Sequence, residues 1–260
     1  MRWARFEYQG AVSQGIVNGD NLELISGDMF GDWERTGATI SLADAELLIP
    51  YEPATFYAAG LNYLDHVLEF AAAHGREPNI PEKPDIGYRA NNALVGHGAD
   101  VVVPKDATDR IQYEAELVVV IGQQAKHLSE ADALSCVFGY TVGNDVSERS
   151  WQKEDRTLWR AKNTDTFKPM GPWIETDVDL ASLSTAVRVN GEETITFETN
   201  KMLFGVERYI AAMTRYVTLH PGDMIWMGTE GSSPDLKDGD VVEIDINQIG
   251  TLSNRFVRKR

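Results

Sequence analysis

The stretch Ile111–Gly122, IQYEAELVVVIG, reads as a buried β-strand. Val118, Val119, Val120 and Ile121 are β-branched, which suits an enclosed pleated surface, and Gly122 can end the run. Side chains on a strand alternate between its faces, so Glu114 and Glu116 point one way, Ala115 and Leu117 the other. Two carboxylates on one face of an apolar strand repel each other and lose hydration if enclosed. A hard divalent cation removes both difficulties, because Mg²⁺, Mn²⁺ and Ca²⁺ take oxygen ligands. A third carboxylate is at hand: Phe138–Asp145, FGYTVGND, reads as a second strand with Asp145 at its end. The alternative is that Glu114 and Glu116 lie on a solvated strand face.

Composition bounds what surrounds this strand. At 260 residues the chain fits one large domain, or a main domain with a small appendage, and 43% hydrophobic content supplies a sizeable core. A net charge of −16 argues against nucleic acid or an anionic membrane surface as partner. It also repels an anionic substrate unless cations gather at the site. The single cysteine, Cys136, excludes an internal disulfide and fits a cytoplasmic setting; within LSCVFGY it reads as a small core residue. The opening MRWARFEYQG lacks the apolar run of a signal peptide, and no run approaches the ~18 apolar residues of a membrane span.

Residues 1–54 read as a small N-terminal β-unit. Strands over Ala4–Tyr8, Ala11–Val17 and Asn21–Ile25 are separated by Gln9-Gly10 and Asn18-Gly19-Asp20, and a short helix over Ser41–Ile49 stops at Pro50. The main domain, 55–260, opens with a strand over Phe56–Ala59 and a helix over Leu64–His74 ended by Gly75. His66 and Glu69, three apart, share one face of that helix. Then come a strand over Asp100–Pro104, a short helix over Ser129–Leu134, and a polar helix over Ser147–Leu158 with Arg149 and Gln152 on one face. Asn190-Gly191 marks a hairpin within Val187–Phe197. A helix over Thr199–Tyr216 and strands over Met224–Thr229, Val241–Ile246 and Thr251–Val257 complete the chain.

GLNYLDH with Glu69, YEAELVVVIG, GYTVGNDVSERSWQ, AKNTDTFKPMGPW, LHPGDMIWMGT and DGDVVEIDINQIGTLSN follow in an order and at spacings that resemble the fumarylacetoacetate hydrolase family over residues 55–257, in its acylpyruvase and 2-hydroxyhepta-2,4-diene-1,7-dioate isomerase branch. The resemblance implies an α+β, β-rich fold: a mixed β-roll of that family's type, carrying the small N-terminal β-unit. It implies a homodimer and a divalent metal, Mg²⁺ by expectation, with Mn²⁺ or Ca²⁺ able to substitute. It makes Glu114, Glu116 and Asp145 metal ligands, and it makes His66 the acceptor of a proton from water with Glu69 orienting the imidazole. Lys162 stabilises developing negative charge, Arg149 and Gln152 hold the substrate's carboxylate, and Thr229 matches the family's carboxylate-binding threonine. Without the resemblance, these are incidental surface pairs and a solvated lysine. Two stretches depart from the pattern. GTEGSSPDLKDGD replaces a Thr-Pro-x-Gly-Val-Gly-like loop and adds Glu230 beside Thr229, and AKNTDTF replaces Gly-Lys-Ser-Phe-Asp-Thr-Phe. The segment 70–84, FAAAHGREPNIPEKP, is either part of a lid or a surface loop.

The activity implied is metal-dependent hydrolysis of a C–C bond in a small anionic 2-oxo or 1,3-dicarbonyl acid, acylpyruvate-like or fumarylacetoacetate-like, with the departing carbanion held as an enolate. Oxaloacetate decarboxylation, or isomerisation of a hydroxydiene diacid from aromatic catabolism, would use the same site. A non-catalytic, metal-stabilised binding module is the reading from another class; the joint presence of His66, Glu69 and Lys162 argues against it.

Overall fold

The computed structural model describes residues 1–259 apart from His74 and Arg76; the side chains of Phe70 and Ala73 are also outside the description. The apolar run after Glu114 lies at the centre of the fold. Ala115–Ile121 is buried along its whole length, paired antiparallel with Val137–Asn144 on one side and Met224–Trp226 on the other. Val118 and Val120 pack with Trp3, Phe56 and Trp226, while Leu117, Val119 and Ile121 pack with Tyr57, Tyr209 and Ile210. Enclosure on both faces explains the unbroken β-branched sequence. Gly143, opposite Glu116, lets the Trp226 ring in: a Cβ there would come within 2.7 Å of it.

From one edge, the large sheet runs Trp33–Ser41, Asn21–Gly27, Ala11–Asn18, Arg2–Tyr8, Lys168–Glu175, Val137–Asn144, Ala115–Ile121, Met224–Trp226, Phe56–Ala59 and Ile86–Tyr88. The N-terminal strands therefore continue the central sheet, joined through Arg2↔Glu175 and Trp3↔Ile174. A second sheet, Glu192–Glu198, Ser184–Val189, Val241–Ile246, Gly250–Arg258 and Asp100–Val103, contributes its inner face to the same core. Asn190 and Gly191 have φ of 54° and 82°, the left-handed pair that a tight hairpin requires. The β-rich α+β fold expected from the sequence is the fold observed.

Several local expectations are corrected. The strand over Ile111–Gly122 is broken at Tyr113 and Glu114, because its two parts have different partners. Ile111–Gln112 pairs with Ser147–Glu148 in a small separate sheet. The Ser41–Ile49 helix is a 3₁₀ turn, Leu42–Asp44, followed by Glu46–Leu47, which pairs with Phe6 and Glu7. Ser129–Leu134 is likewise not an α-helix; only Ala133 and Leu134 are helical, as the start of a 3₁₀ turn over Ala133–Cys136. Ser147–Leu158 begins as a strand and contains only α2, Arg149–Glu154, followed by α3, Trp159–Asn163. Of Thr199–Tyr216 only Val206–Thr214, α4, is α-helical, since the Leu203 amide donates to Asn62 O and Met202 bridges Tyr63. The first α-helix, α1, covers Leu64–Ala73; its expected last residue, His74, is outside the described residues. No described helix is long and apolar enough to cross a membrane.

Candidate metal and active site

Glu114 precedes the central strand, Glu116 is its second residue, and Asp145 follows the neighbouring strand. The Asp145 amide donates to Glu114 O at 2.9 Å, which holds the two strand ends in register. One carboxylate oxygen from each of the three lies within 4.8 Å of the others, and all three residues are buried. This convergence follows from the alternation read in the sequence, which survives the break at Glu114.

Cations are distributed unevenly over these acids. Lys162 Nζ lies 2.6 Å from Glu114 Oε2 and 2.9 Å from Asp145 Oδ2. Arg149 Nη1 donates to Glu114 Oε1 at 2.6 Å and to Gln152 Oε1 at 2.9 Å, and its Nε donates to Gln112 at 2.7 Å. Arg89 reaches Asp145 Oδ2 at 3.0 Å. Lys168 Nζ, fully buried, stands 2.6 Å from Asp145 Oδ1 but donates to the carbonyls of Val146 and Phe167, and Oδ1 accepts no hydrogen bond of normal geometry. Glu116 has only the Gly228 amide, donating to its Oε2 at 2.8 Å, and no ion pair among the described residues.

The acidities follow. Burial pushes every one of these carboxyls up. At Glu114, Lys162 and Arg149 outweigh burial and hold it at about 2. Arg89, Lys162 and Lys168 do the same for Asp145, which lies well below the usual carboxylate range. At Glu116 burial acts with the charges of Asp145 and Glu114, and the carboxyl is pushed up to about 8. Burial lowers the Lys168 ammonium to about 8 against the pull of Asp145. The set fits a hard divalent cation: its donors are all oxygens, Glu116 lacks a positive partner among the described residues, and Asp145 Oδ1 is enclosed without a hydrogen bond.

His66, half-buried on α1, points Nδ1 at Gly231 O, 2.7 Å away, and positive charge on its ring favours the ionised form of Glu114 from nearby. Glu69 is exposed, and among the described residues it makes no hydrogen bond to the imidazole. The ring is held by a backbone carbonyl where a carboxylate was expected. Thr229 is buried next to Gly228, while Glu230 lies near Asp65 and Glu69. Asn62 bonds Met227 O and the backbone of Phe204, so it pins chain segments together. Thr166 and Asp165 support their loop through Val102 N and Asn92.

Sequence reasoning missed three groups: Arg89, Lys168 and the Gly231 carbonyl. Arg89 directly follows the short edge strand Ile86–Tyr88, in a stretch with no periodic cue. Lys168 did carry a signal, a charge between Phe167 and Pro169-Met170 at the start of a strand that stays apolar until Glu175. A carbonyl has no side-chain signature at all.

Residues 55–257 match the profile described as fumarylacetoacetate (FAA) hydrolase C-terminal. The chain belongs to the fumarylacetoacetate hydrolase family. Residues 1–50 match a second profile, Rv2993c-like, N-terminal. Among curated relatives in the family, the oxaloacetate tautomerase YisK of Bacillus subtilis is 35% identical over 265 residues, covering 95% of this chain and 86% of its own. The 2-hydroxyhepta-2,4-diene-1,7-dioate isomerase from Mycobacterium marinum superposes with a TM-score of 0.89 at 36% identity, over 100% of this chain and 99% of that one. Maleylpyruvate hydrolase from Sphingobium sp. SYK-6, solved in complex with manganese (II) ion and pyruvate, superposes with a TM-score of 0.79 at 26% identity, over 100% of each chain.

Proposed function

We propose that this protein is a divalent-metal-dependent hydrolase that cleaves a C–C bond in a small anionic 2-oxo or 1,3-dicarbonyl acid. The observation that carries the reading is the buried triad Glu114, Glu116 and Asp145 with Lys162 between two of its members. A Mg²⁺ or Mn²⁺ ion held there would supply charge stabilisation and polarisation of a carbonyl. The residues around it supply the rest. Arg149, held by Gln112, Gln152 and Glu114, would present its guanidinium to the substrate's carboxylate, with Thr229, buried next to Gly228, as a second donor. His66 takes a proton from water through Nε2, and the resulting hydroxide adds to the distal carbonyl. The C–C bond then breaks, its electron pair passes to the 2-oxo fragment as an enolate, and the proton on His66 returns to that carbon. The products are a carboxylic acid and a 2-oxo acid. Glu69 contributes negative charge near the imidazolium rather than a hydrogen bond. A homodimer in the cytoplasm acting in aromatic catabolism completes the proposal.

A second reading has a specific support, the likeness to an oxaloacetate tautomerase along 95% of the chain. Tautomerisation needs the same enolate and moves only a proton, so His66 and Lys162 would keep their roles without an attacking water. Acetylpyruvate and oxaloacetate, each offered with Mg²⁺, with Mn²⁺ and after chelation, separate the readings by product. Release of acetate and pyruvate from acetylpyruvate supports the hydrolase. Enol–keto interconversion of oxaloacetate without cleavage of acetylpyruvate would replace it.

Lys162→Met keeps much of the side-chain length and deletes the charge. Loss of one preorganised group facing developing negative charge costs about 10²–10³ in kcat. We expect a fall of that order in kcat with KM little changed. Steady-state kinetics at saturating Mg²⁺ checks it; a raised KM at unchanged kcat would make Lys162 a ground-state binding group.

A further inference from the structure

We propose that the Gly231 carbonyl is a positioning group that sets the tautomer and the aim of His66, resting on the reading of His66 as the base. The Gly231 carbonyl is 2.7 Å from His66 Nδ1, and a carbonyl can only accept. Nδ1 therefore carries the hydrogen, and the neutral ring presents its lone pair at Nε2. One backbone carbonyl thus grips the ring of His66.

The grip is stiff and well placed. Gly231 has φ of +67°, and a Cβ on it would lie 2.5 Å from Ile195 Cδ1, so a side chain here displaces the carbonyl. Gly228, three residues earlier, donates its amide to Glu116 Oε2. One short segment, Gly228–Gly231, therefore touches a carboxylate of the triad at one end and the base at the other. It fixes their separation, a task for which the exposed Glu69 is badly placed.

The test is a long-range proton–nitrogen spectrum of protein labelled with ¹⁵N-histidine, without substrate, at about pH 8.5, two units above the ordinary imidazole range. The His66 signal is assigned by its loss in His66→Gln. We expect the Nδ1–H tautomer in the wild type and a tautomer mixture in Gly231→Ala, which should lose about 10–100-fold in kcat, the usual effect of removing an orienting group, with KM within about twofold. Adding Ile195→Val, which removes the Cδ1 that the new Cβ would meet, should restore the tautomer and most of kcat, a rescue that a loss of fold would not show. Should Gly231→Ala fail to fold, the wild-type spectrum decides alone. An Nε2–H ring in the wild type, or an unchanged kcat in Gly231→Ala, overturns the proposal. The spectrum needs no turnover, so it stands even if no 2-oxo acid is cleaved and the hydrolase reading falls.

Discussion

His66→Ala lowers acylpyruvate hydrolysis by about 10²–10⁴-fold, the range expected for loss of a general base. The geometry makes this the most discriminating substitution in the site. The imidazole is fixed through Nδ1 to Gly231 O, so Nε2 is the nitrogen left to receive a proton. Hydrolysis and oxaloacetate tautomerisation both move a proton through that atom, and both should fall. Decarboxylation of oxaloacetate needs only a stabilised enolate, so any such activity should keep a much larger fraction. All three are to be measured on one preparation at saturating Mg²⁺, so that loss of metal is not mistaken for loss of base. Equal losses in all three would mean that α1 does something common to them, such as closing the site. Unchanged hydrolysis would remove His66 from the mechanism.

Glu116→Gln separates metal binding from folding. The amide keeps an acceptor for the Gly228 N–H but carries no charge. Removing groups that merely orient a metal's ligands costs 10–100-fold in affinity, so losing a ligand charge should cost at least about 100-fold in Mn²⁺ affinity, read by calorimetry. The wild-type carboxyl rises from 4.5 to about 8 on folding, through burial first and then Asp145 and Glu114. The folded state thus binds the proton more tightly than the unfolded state, and metal-free wild type loses stability as pH rises from about 4.5 to about 8. Glutamine has no such loss, so the variant's melting temperature should gain on the wild type across that window and level off above it. For the wild type, each metal ion bound below about pH 8 displaces that proton, so affinity should climb by up to about tenfold per pH unit and then flatten. An affinity independent of pH, or equal in the two proteins, would remove Glu116 from the ligand set.

The central strand and its acids were legible because carboxylates at alternate positions beside a β-branched run have few physical explanations. Lys162, Arg149 and Gln152 could be placed near them only through the family pattern, since nothing in AKNTDTF or VSERSWQ announces what they face. The break at Tyr113 and Glu114 was hidden, because each half looks like a strand and only the change of partner divides them. The over-long helix at Thr199–Tyr216 has a similar cause: Met202 and Leu203 have helical propensity, but their backbone is tied to Asn62 and Tyr63. Arg89 arrives from the end of a three-residue edge strand, and Gly231 acts through its main chain. Tertiary placement alone reveals groups of that kind.

The four cations gathered on the triad have a consequence for how fast substrate arrives. Arg89, Arg149, Lys162 and Lys168 pair with Glu114 and Asp145 and outnumber the three carboxylates of the triad, although acidic residues exceed basic ones by 40 to 24 in the whole chain. The site is therefore a positive well inside a negative shell. A dissolved anion meets the shell first and is slowed at long range. Salt screens exposed charges within about 8–10 Å at physiological strength but reaches enclosed ones far less. The second-order rate constant for an anionic substrate should therefore rise as salt is added from very low concentration, opposite to the behaviour of an enzyme that draws its substrate in electrostatically. Attraction would operate only once the substrate has entered the mouth of the site, so the buried charges would govern how long it stays rather than how often it comes.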